Sequence, residues 1–255
     1  MILIDSLSYS SKLRYKNPEE KFVFAMSSLV ICVATKSILA ALTALIINGW
    51  LIIRKGGIPL SYYVKYLLVP LVFSFFSTLI LLVNISKIPL DAYAIPIGEY
   101  YLTSSLSDMY RGIGLIVTAL GAVSCLYFLA MNTPMTEICE VLKRMHCPTL
   151  FIELMLLTYR FIFILLEVAS AILTAQKSRL GNRDFRTSLD SFGKMVSILF
   201  IRSLKKSTHL YDAMESRCYN GELNVLRDGS RSVCKEIVWI VLYEMVLLGI
   251  AVFGF

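Results

Sequence analysis

Two short stretches of this sequence share a pattern that places an arginine near the end of a helix. AQKSRLGN begins at Ala175, and AMESRCYNGEL begins at Ala213, 38 residues later. Each stretch starts with alanine, carries Ser-Arg at its fourth and fifth positions, and continues into glycine or asparagine. Glycine and asparagine are common where helices end, and the helix dipole favours a cation in the last turn. Both stretches are therefore expected to end helices, with Arg179 and Arg217 at the two ends.

The chemistry that these two arginines offer is the recognition of carboxylate groups. A guanidinium is permanently charged and presents paired N–H donors that match a carboxylate bidentately. Ala175 and Ala213 are small and permit close approach. If the two helices cross, Arg179 and Arg217 are expected to project from the same corner and to bind acidic groups of another protein. The alternative is that both stretches are ordinary helix ends on a basic cytoplasmic face.

The composition of the chain is that of an integral membrane protein built of helices. Hydrophobic residues make up 57% of the sequence and charged residues 17%, where a soluble domain usually has about 25% charged residues. The net charge of +7 is concentrated between Thr174 and Lys235, which hold twelve Lys or Arg and six Asp or Glu. Such a segment indicates a cytoplasmic face, an acidic partner or anionic lipid headgroups. Nucleic acid is not expected as a partner, because no helix-turn-helix, zinc finger or aromatic–basic platform accompanies the charge.

Five apolar runs are expected to be transmembrane helices, four of them within residues 22–131 and the last within 236–255. The first four runs are residues 22–34, 38–53, 66–83 and 112–131. The first two form either a tight hairpin or one long kinked helix. Residues 1–21 are expected to be cytoplasmic, and residues 132–235 to form a cytoplasmic coupling domain. A connection at about 84–110 carries Asp91, Glu99 and Asp108 and is expected outside the membrane on the far side.

A further apolar run, residues 149–175, carries Glu153, Arg160 and Glu167 at intervals of seven, which places them on one stripe of a helix. Basic residues before residue 22 indicate a cytoplasmic N-terminus. If this run crossed the membrane, the basic segment that follows would lie outside, against the positive-inside bias, so a full crossing is not expected. The three charges, and Glu244 in the last run, are expected to orient the long helices by internal pairing. A functional role is the alternative, because charge inside a membrane is costly.

Residues 186–217 have the apolar spacing of an amphipathic helix of about 30 residues. Lys205 and Lys206 in its middle exclude a simple membrane span. Such a helix lies on lipid headgroups, or it packs on a partner or on the preceding long helix, and the sequence leaves these possibilities open.

Four segments carry a resemblance to a known family: IDSLSYSSKLRYKNPEEK, Tyr159-Arg160-Phe161, IRSLKKSTHLYDAMESR and the YNGEL that follows. The chain resembles the transmembrane T components of energy-coupling factor (ECF) transporters, and among them the cobalt-type CbiQ subunits. The resemblance implies two long coupling helices that form a cytoplasmic X and dock their arginine ends in grooves of two ABC ATPases. Residues that match the two family motifs are Ala175, Arg179 and Gly181 in the first, and Ala213 and Arg217 in the second. The chain departs where Leu180 precedes the glycine and where Cys218 replaces a common glycine, which leaves the geometry of the second helix end open.

The function that the resemblance implies is that of a non-catalytic subunit, which passes ATP-driven motion to a substrate-binding membrane subunit. Implied partners are two CbiO-like ATPases, a CbiM-like S component and a small CbiN-like subunit, in a prokaryotic inner or plasma membrane with the coupling helices cytoplasmic. The implied cargo is cobalt, with nickel or a vitamin as the alternative. No P-loop motif occurs, no cofactor is expected, and His146-Cys147 is too small a set of ligands for a metal site. A self-sufficient secondary transporter and a scaffold that binds anionic lipid are competing hypotheses.

Overall fold

The computed structural model of this chain describes residues 3–82, 84–86, 93–97, 100–104, 106–221 and 234–253. The described chain is mainly helical. Its α-helices are α1 (Leu3–Ser10), α2 (Pro18–Thr35), α3 (Ile38–Trp50), α4 (Leu60–Leu82), α5 (Leu106–Asn132), α6 (Met135–Arg144), α7 (Thr149–Ser178), α8 (Phe185–Glu215) and α9 (Cys234–Phe253). A 3₁₀ turn at Lys12–Tyr15 precedes α2, and a π-helical turn at Leu51–Lys55 extends α3.

Four of the described helices are long and apolar enough to cross a membrane. They are Ile38–Lys55, Leu60–Ile80, Asp108–Asn132 and Thr149–Ser178. These helices confirm the expected class, an all-α, multi-pass membrane protein. Within the described residues, α7 belongs to this set, whereas α2 and α9, both expected to span, do not. Length and composition do not decide whether α7 crosses the membrane completely, so its incomplete crossing stays a prediction.

The first two apolar runs form separate helices. Lys36 adopts a left-handed backbone conformation with φ of 49°, which ends α2 after Thr35. The chain then begins α3 at Ile38. One continuous kinked helix is therefore excluded. Pro70 lies inside α4, as expected of a membrane helix whose neighbours tolerate the lost hydrogen bond.

The connection between α4 and α5 contains strands that were not expected from the sequence. β1 (Asn84–Ser86), β2 (Tyr93–Ile97) and β3 (Tyr100–Ser104) form an antiparallel sheet in the order β1-β3-β2. Its strands contain tyrosine, isoleucine and threonine, which favour extended structure. The first turns of α5 also lie within the expected connection. Asp91 and Glu99 lie outside the described residues.

The described chain divides into two compact units, and the first comprises residues 2–138 with 228–255. Here α5 packs against α2, α3 and α4, and α9 packs against α2 and α3. Phe24 and Phe128 meet edge to face, with ring centroids 5.1 Å apart. A side chain at Gly121 would place its Cβ 2.8 Å from the carbonyl oxygen of Ala41, so the α3–α5 contact requires glycine.

The second unit, residues 139–227, is built on α7 and α8. Near the turn between the two helices, the Gln176 side-chain amide donates a hydrogen bond to the carbonyl of Ser191. Just beyond the far end of α8, the Tyr219 hydroxyl donates a hydrogen bond to Glu153 near the start of α7. The two helices therefore run antiparallel, as an α-hairpin whose helices are tied together at both ends.

Candidate functional site

The first arginine lies at the C-cap of α7, immediately after Ser178. The N–H of Arg179 donates to the Gln176 carbonyl (3.2 Å), and the N–H of Leu180 donates to the Lys177 carbonyl (3.2 Å). The N–H of Gly181 closes the turn on the Gln176 carbonyl at 2.8 Å. Leu180 has a left-handed φ of 57°. This set of bonds is a Schellman-type helix end, which satisfies carbonyls that the helix would leave open.

The second arginine lies in the same kind of turn at the end of α8. The N–H groups of Arg217 and Cys218 donate to the carbonyls of Met214 (3.0 Å) and Glu215 (2.9 Å). The N–H of Tyr219 closes the turn on the Met214 carbonyl at 3.1 Å. Cys218 has a left-handed φ of 59°. Cysteine in place of glycine thus leaves the helix end intact, and the two ends match bond for bond.

Gly181 contributes to this turn through its small size and not through a left-handed backbone. The left-handed position belongs to Leu180, while Gly181 is not among the described glycines with positive φ. A Cβ at Gly181 would lie 3.0 Å from the Gln176 carbonyl oxygen and 3.0 Å from the Ser191 hydroxyl oxygen. Ser191 also donates a hydrogen bond to the Gly181 carbonyl at 2.8 Å. A side chain at position 181 would therefore crowd this turn against α8, where glycine leaves room.

The residues of both motifs present an open surface. Ala175, Arg179, Ala213 and Arg217 are all exposed. Neither arginine forms an ion pair with any residue that the structure describes. Both guanidinium groups are therefore available to an acidic partner.

The two arginines do not share a corner, which corrects the expectation from the sequence. The Arg179 turn contacts Ser191 near the start of α8, whereas Arg217 follows the last residue of α8, Glu215. At 1.5 Å per residue, the helix from Ser191 to Glu215 separates the two ends by roughly 35 Å. The reason is that α8 is one unbroken antiparallel helix, which carries the second end away from the first.

Each arginine end is tied to the opposite helix by side-chain hydrogen bonds. At the first end, the Gln176 amide donates to the Ser191 carbonyl at 2.7 Å, beside the Ser191–Gly181 bond. At the second end, the Tyr219 hydroxyl donates to Oε2 of Glu153 at 2.6 Å. The Glu153 carboxylate raises the pKa of Tyr219, because it accepts a hydrogen bond from the protonated phenol. Sequence reasoning missed these ties, since the partners of the second lie 66 residues apart.

The three charged residues of the α7 stripe differ in their surroundings. Glu153 is only 7% exposed and binds Tyr219. Arg160 and Glu167 are exposed, and neither forms an ion pair with a described residue. Only the first of the three charges therefore has a hydrogen-bonded partner on another segment of the chain in the described structure.

Glu244 is held inside the first unit by two serines that sequence reasoning did not single out. The hydroxyls of Ser27 and Ser28 both donate to Oε1 of Glu244 at 2.8 Å. Each of these serines lies on α2, so the contact joins α2 to α9. This contact does not involve the long helices α7 and α8, so the expected role of Glu244 in orienting those helices stays a prediction.

Lys21, one of the basic residues that precede the first apolar run, is buried at 6% exposure. Its ammonium donates to the carbonyls of Leu13 (3.3 Å), Arg14 (3.4 Å) and Asn132 (3.2 Å), and it pairs with Glu137 at 3.1 Å. Burial lowers the pKa of Lys21, and Glu137 opposes that shift. Lys21 thus joins the N-terminal turn to the end of α5 and the start of α6.

The N-terminal segment makes two further polar contacts in this region. Ser11 donates a hydrogen bond to Oδ1 of Asn132 at 2.7 Å, and Lys16 pairs with Glu236 at the start of α9. Among the described residues, no three His, Cys, Asp or Glu side chains gather as metal ligands would. Glu222 and Leu223 lie outside the described residues.

The sequence matches the family CbiQ, cobalt transport protein, over residues 9–226. An uncharacterized protein of Methanocaldococcus jannaschii is 31% identical, over 98% of this chain and 92% of its own length. The putative fused cobalt transport protein CbiMQ of Methanocorpusculum labreanum is 30% identical, over 86% of this chain and 37% of that longer protein. The cobalt transport protein CbiQ of Salmonella typhimurium is 27% identical, over 87% of this chain and 99% of its length. The family match includes both arginine ends.

Proposed function

Because this chain belongs to the CbiQ family of cobalt transport proteins, we propose that it is the coupling subunit of an ECF-type ABC importer. As a member of that family it is a membrane component of a transport system. In our proposal it hydrolyses nothing itself. Two partner ATPases bind and hydrolyse ATP, and the α7–α8 hairpin carries their motion to a membrane subunit that holds the cargo.

The observation that carries this proposal is the identity of the two helix ends. Both present an exposed alanine and, four residues later, an exposed arginine on the same hydrogen-bonded turn. Surfaces of equal geometry fit equal binding sites, so the partners are two copies of one protein or two close relatives. A separation of roughly 35 Å, from the helical rise of α8, leaves room for one ATPase at each end. Acidic groups in the two partner grooves would receive Arg179 and Arg217 bidentately.

The cargo-binding partner that we propose is a CbiM-like membrane subunit, with a small CbiN-like subunit beside it. A relative named as a fused CbiMQ protein supports this choice, because it joins a matching region to further sequence in one chain. Cobalt is the proposed cargo, and nickel or a vitamin is the alternative. Selection of the cargo is assigned to that partner, as the resemblance to the family implies.

The orientation that we propose puts the N-terminus and the α7–α8 hairpin on the cytoplasmic side of a prokaryotic cell membrane. The basic residues of α8 and its flanks favour this side. In this orientation α7 does not complete a crossing, although its length and composition permit one.

The proposal is tested with the chain co-expressed with its candidate ATPases and membrane subunit and reconstituted in liposomes. Arg179→Ala and Arg217→Ala are each expected to lower cobalt uptake, and the double variant to abolish it. Arg202→Ala is the matched control, because Arg202 is an exposed arginine inside α8 and not at a helix end. Wild-type uptake by both single variants and the double variant would overturn the docking assignment. Uptake by this chain alone would instead favour a secondary transporter.

A further inference from the structure

Tyr219 forms one hydrogen bond within the turn at the second helix end and another to the opposite helix, α7. Its N–H closes the turn that carries Arg217, on the carbonyl of Met214 at 3.1 Å. Its hydroxyl donates to Glu153 at 2.6 Å, a length typical of a hydrogen bond to an ionised oxygen. One residue therefore joins the Arg217 turn to the beginning of α7.

The acceptor of this hydrogen bond, Glu153, is a buried residue. Glu153 is 7% exposed, so its carboxylate is shielded from water. A shielded carboxylate is costly unless it is hydrogen-bonded, and Tyr219 supplies one such bond. The rest of the Arg217 end is open, because Arg217, Cys218 and Asn220 are all exposed.

We infer that the Tyr219–Glu153 hydrogen bond is a coupling latch, a positioning contact through which movement of the Arg217 end displaces the start of α7. This inference rests on the proposed function. At the other end, Ser191 and Gln176 tie the Arg179 turn to α8. With both ties closed, displacement of either end moves the hairpin as one body. With the latch open, the Arg217 turn moves without α7, and ATP hydrolysis continues without transport.

The test uses Tyr219→Phe in the full complex, with ATP hydrolysis and cobalt uptake measured in the same liposomes. Phenylalanine keeps the ring and removes only the hydroxyl. We expect the ATPases to remain bound and hydrolysis to persist, while uptake per ATP falls by about tenfold, the factor that corresponds to one hydrogen bond to a charged group. Tyr211→Phe is the matched control, because Tyr211 is a 55% exposed tyrosine of α8 whose hydroxyl bonds no described residue. Equal uptake per ATP in wild type and Tyr219→Phe would overturn the latch.

Glu153 supplies the second arm of the experiment. Glu153→Gln keeps an oxygen that accepts a hydrogen bond from the phenol, so it is expected to couple better than a variant without an acceptor. Glu153→Leu removes the acceptor and is expected to match Tyr219→Phe. Should Tyr219→Phe fail to fold, the comparison of these two Glu153 variants decides the question. Equal coupling in both would contradict the latch.

Hydrogen exchange of the isolated chain separates this inference from the proposed function. In Tyr219→Phe, the amides of residues 216–220 and of the first turns of α7 are expected to exchange faster than in wild type and in Tyr211→Phe. Unchanged exchange would overturn the latch without partners present. If wild type binds no ATPase while Tyr219→Phe exchanges faster as expected, the proposed coupling role is wrong. The Tyr219–Glu153 hydrogen bond is then only a structural contact.

Discussion

Leu180 and Cys218 adopt the same left-handed backbone conformation, with φ of 57° and 59°, each one residue after an arginine. Neither residue is one that favours this conformation. In both turns the following N–H reaches back five residues to a carbonyl, of Gln176 in one and Met214 in the other. The same arginine-bearing helix end therefore occurs twice, although the left-handed residue is leucine in one and cysteine in the other.

Glycine at either left-handed position is expected to stabilise the protein. Leu180→Gly and Cys218→Gly each remove the left-handed penalty of an L side chain but add chain entropy to the unfolded state, for a net gain of about 0.5–1 kcal/mol. Thermal unfolding in detergent measures the gain. Uptake is expected to stay at the wild-type level, because neither change touches Arg179 or Arg217. A loss of stability in both variants would show that these side chains make contacts that outweigh backbone strain.

Alanine substitutions at two glycines of the α7–α8 hairpin, Gly181 and Gly193, are expected to change the stability of the protein in opposite directions. Gly181→Ala places a Cβ 3.0 Å from both the Gln176 carbonyl oxygen and the Ser191 hydroxyl oxygen, which costs about 1–2 kcal/mol. Gly193 lies inside α8, and a Cβ added there would meet no atom within 4 Å, so Gly193→Ala gains about 1 kcal/mol from helix propensity. Thermal unfolding of the two variants side by side checks the difference in sign. Equal effects would contradict the close packing at Gly181.

Lys21 is expected to be a stability residue despite its charge. Lys21→Met removes one ammonium that donates to Glu137 and to three carbonyl oxygens, at a cost of about 2–3 kcal/mol. Lys143→Met is the control, because Lys143 is an exposed lysine at the end of α6. Unfolding temperatures measured together should separate the two variants. A Lys21→Met protein as stable as the control would contradict the buried network.

The Tyr219–Glu153 contact is expected to hold across neutral and mildly basic pH. The raised pKa of Tyr219 means that the folded chain keeps the phenolic proton above the ordinary value of about 10. The contribution of the Tyr219–Glu153 hydrogen bond to folding stability is therefore complete below about pH 10. It is lost as the pH rises through the raised pKa of Tyr219 in the folded chain. The phenolate absorbance of wild type minus that of Tyr219→Phe isolates this group. A midpoint below about 10 would contradict the hydrogen bond.

Local sequence signals predicted much of the helical framework. A continuous apolar run located α7 and apolar periodicity located α8, to within three residues at each end, and Pro70 was correctly assigned to a membrane helix. Arg179 and Arg217 were placed at helix ends because turn-forming residues follow them. These features depend on neighbours in the chain, so a single sequence contains the information.

Features that depend on distant contacts were not predictable in the same way. The separation of Arg179 from Arg217 follows from the direction of α8, and the latch joins Tyr219 to a residue of another helix. The burial of Lys21 likewise depends on carbonyls from α5 and the N-terminal turn. The strands after α4 were missed because their residues were read only as a polar connection.

The stoichiometry of the assembled complex, measured by native mass spectrometry, tests most directly the claim that each arginine end binds one ATPase. Wild type is expected to carry two ATPase subunits per chain, and Arg202→Ala to do the same. Arg179→Ala and Arg217→Ala are each expected to shift the population towards one ATPase, and the double variant towards none. Two bound ATPases in both single variants and in the double variant would contradict the claim.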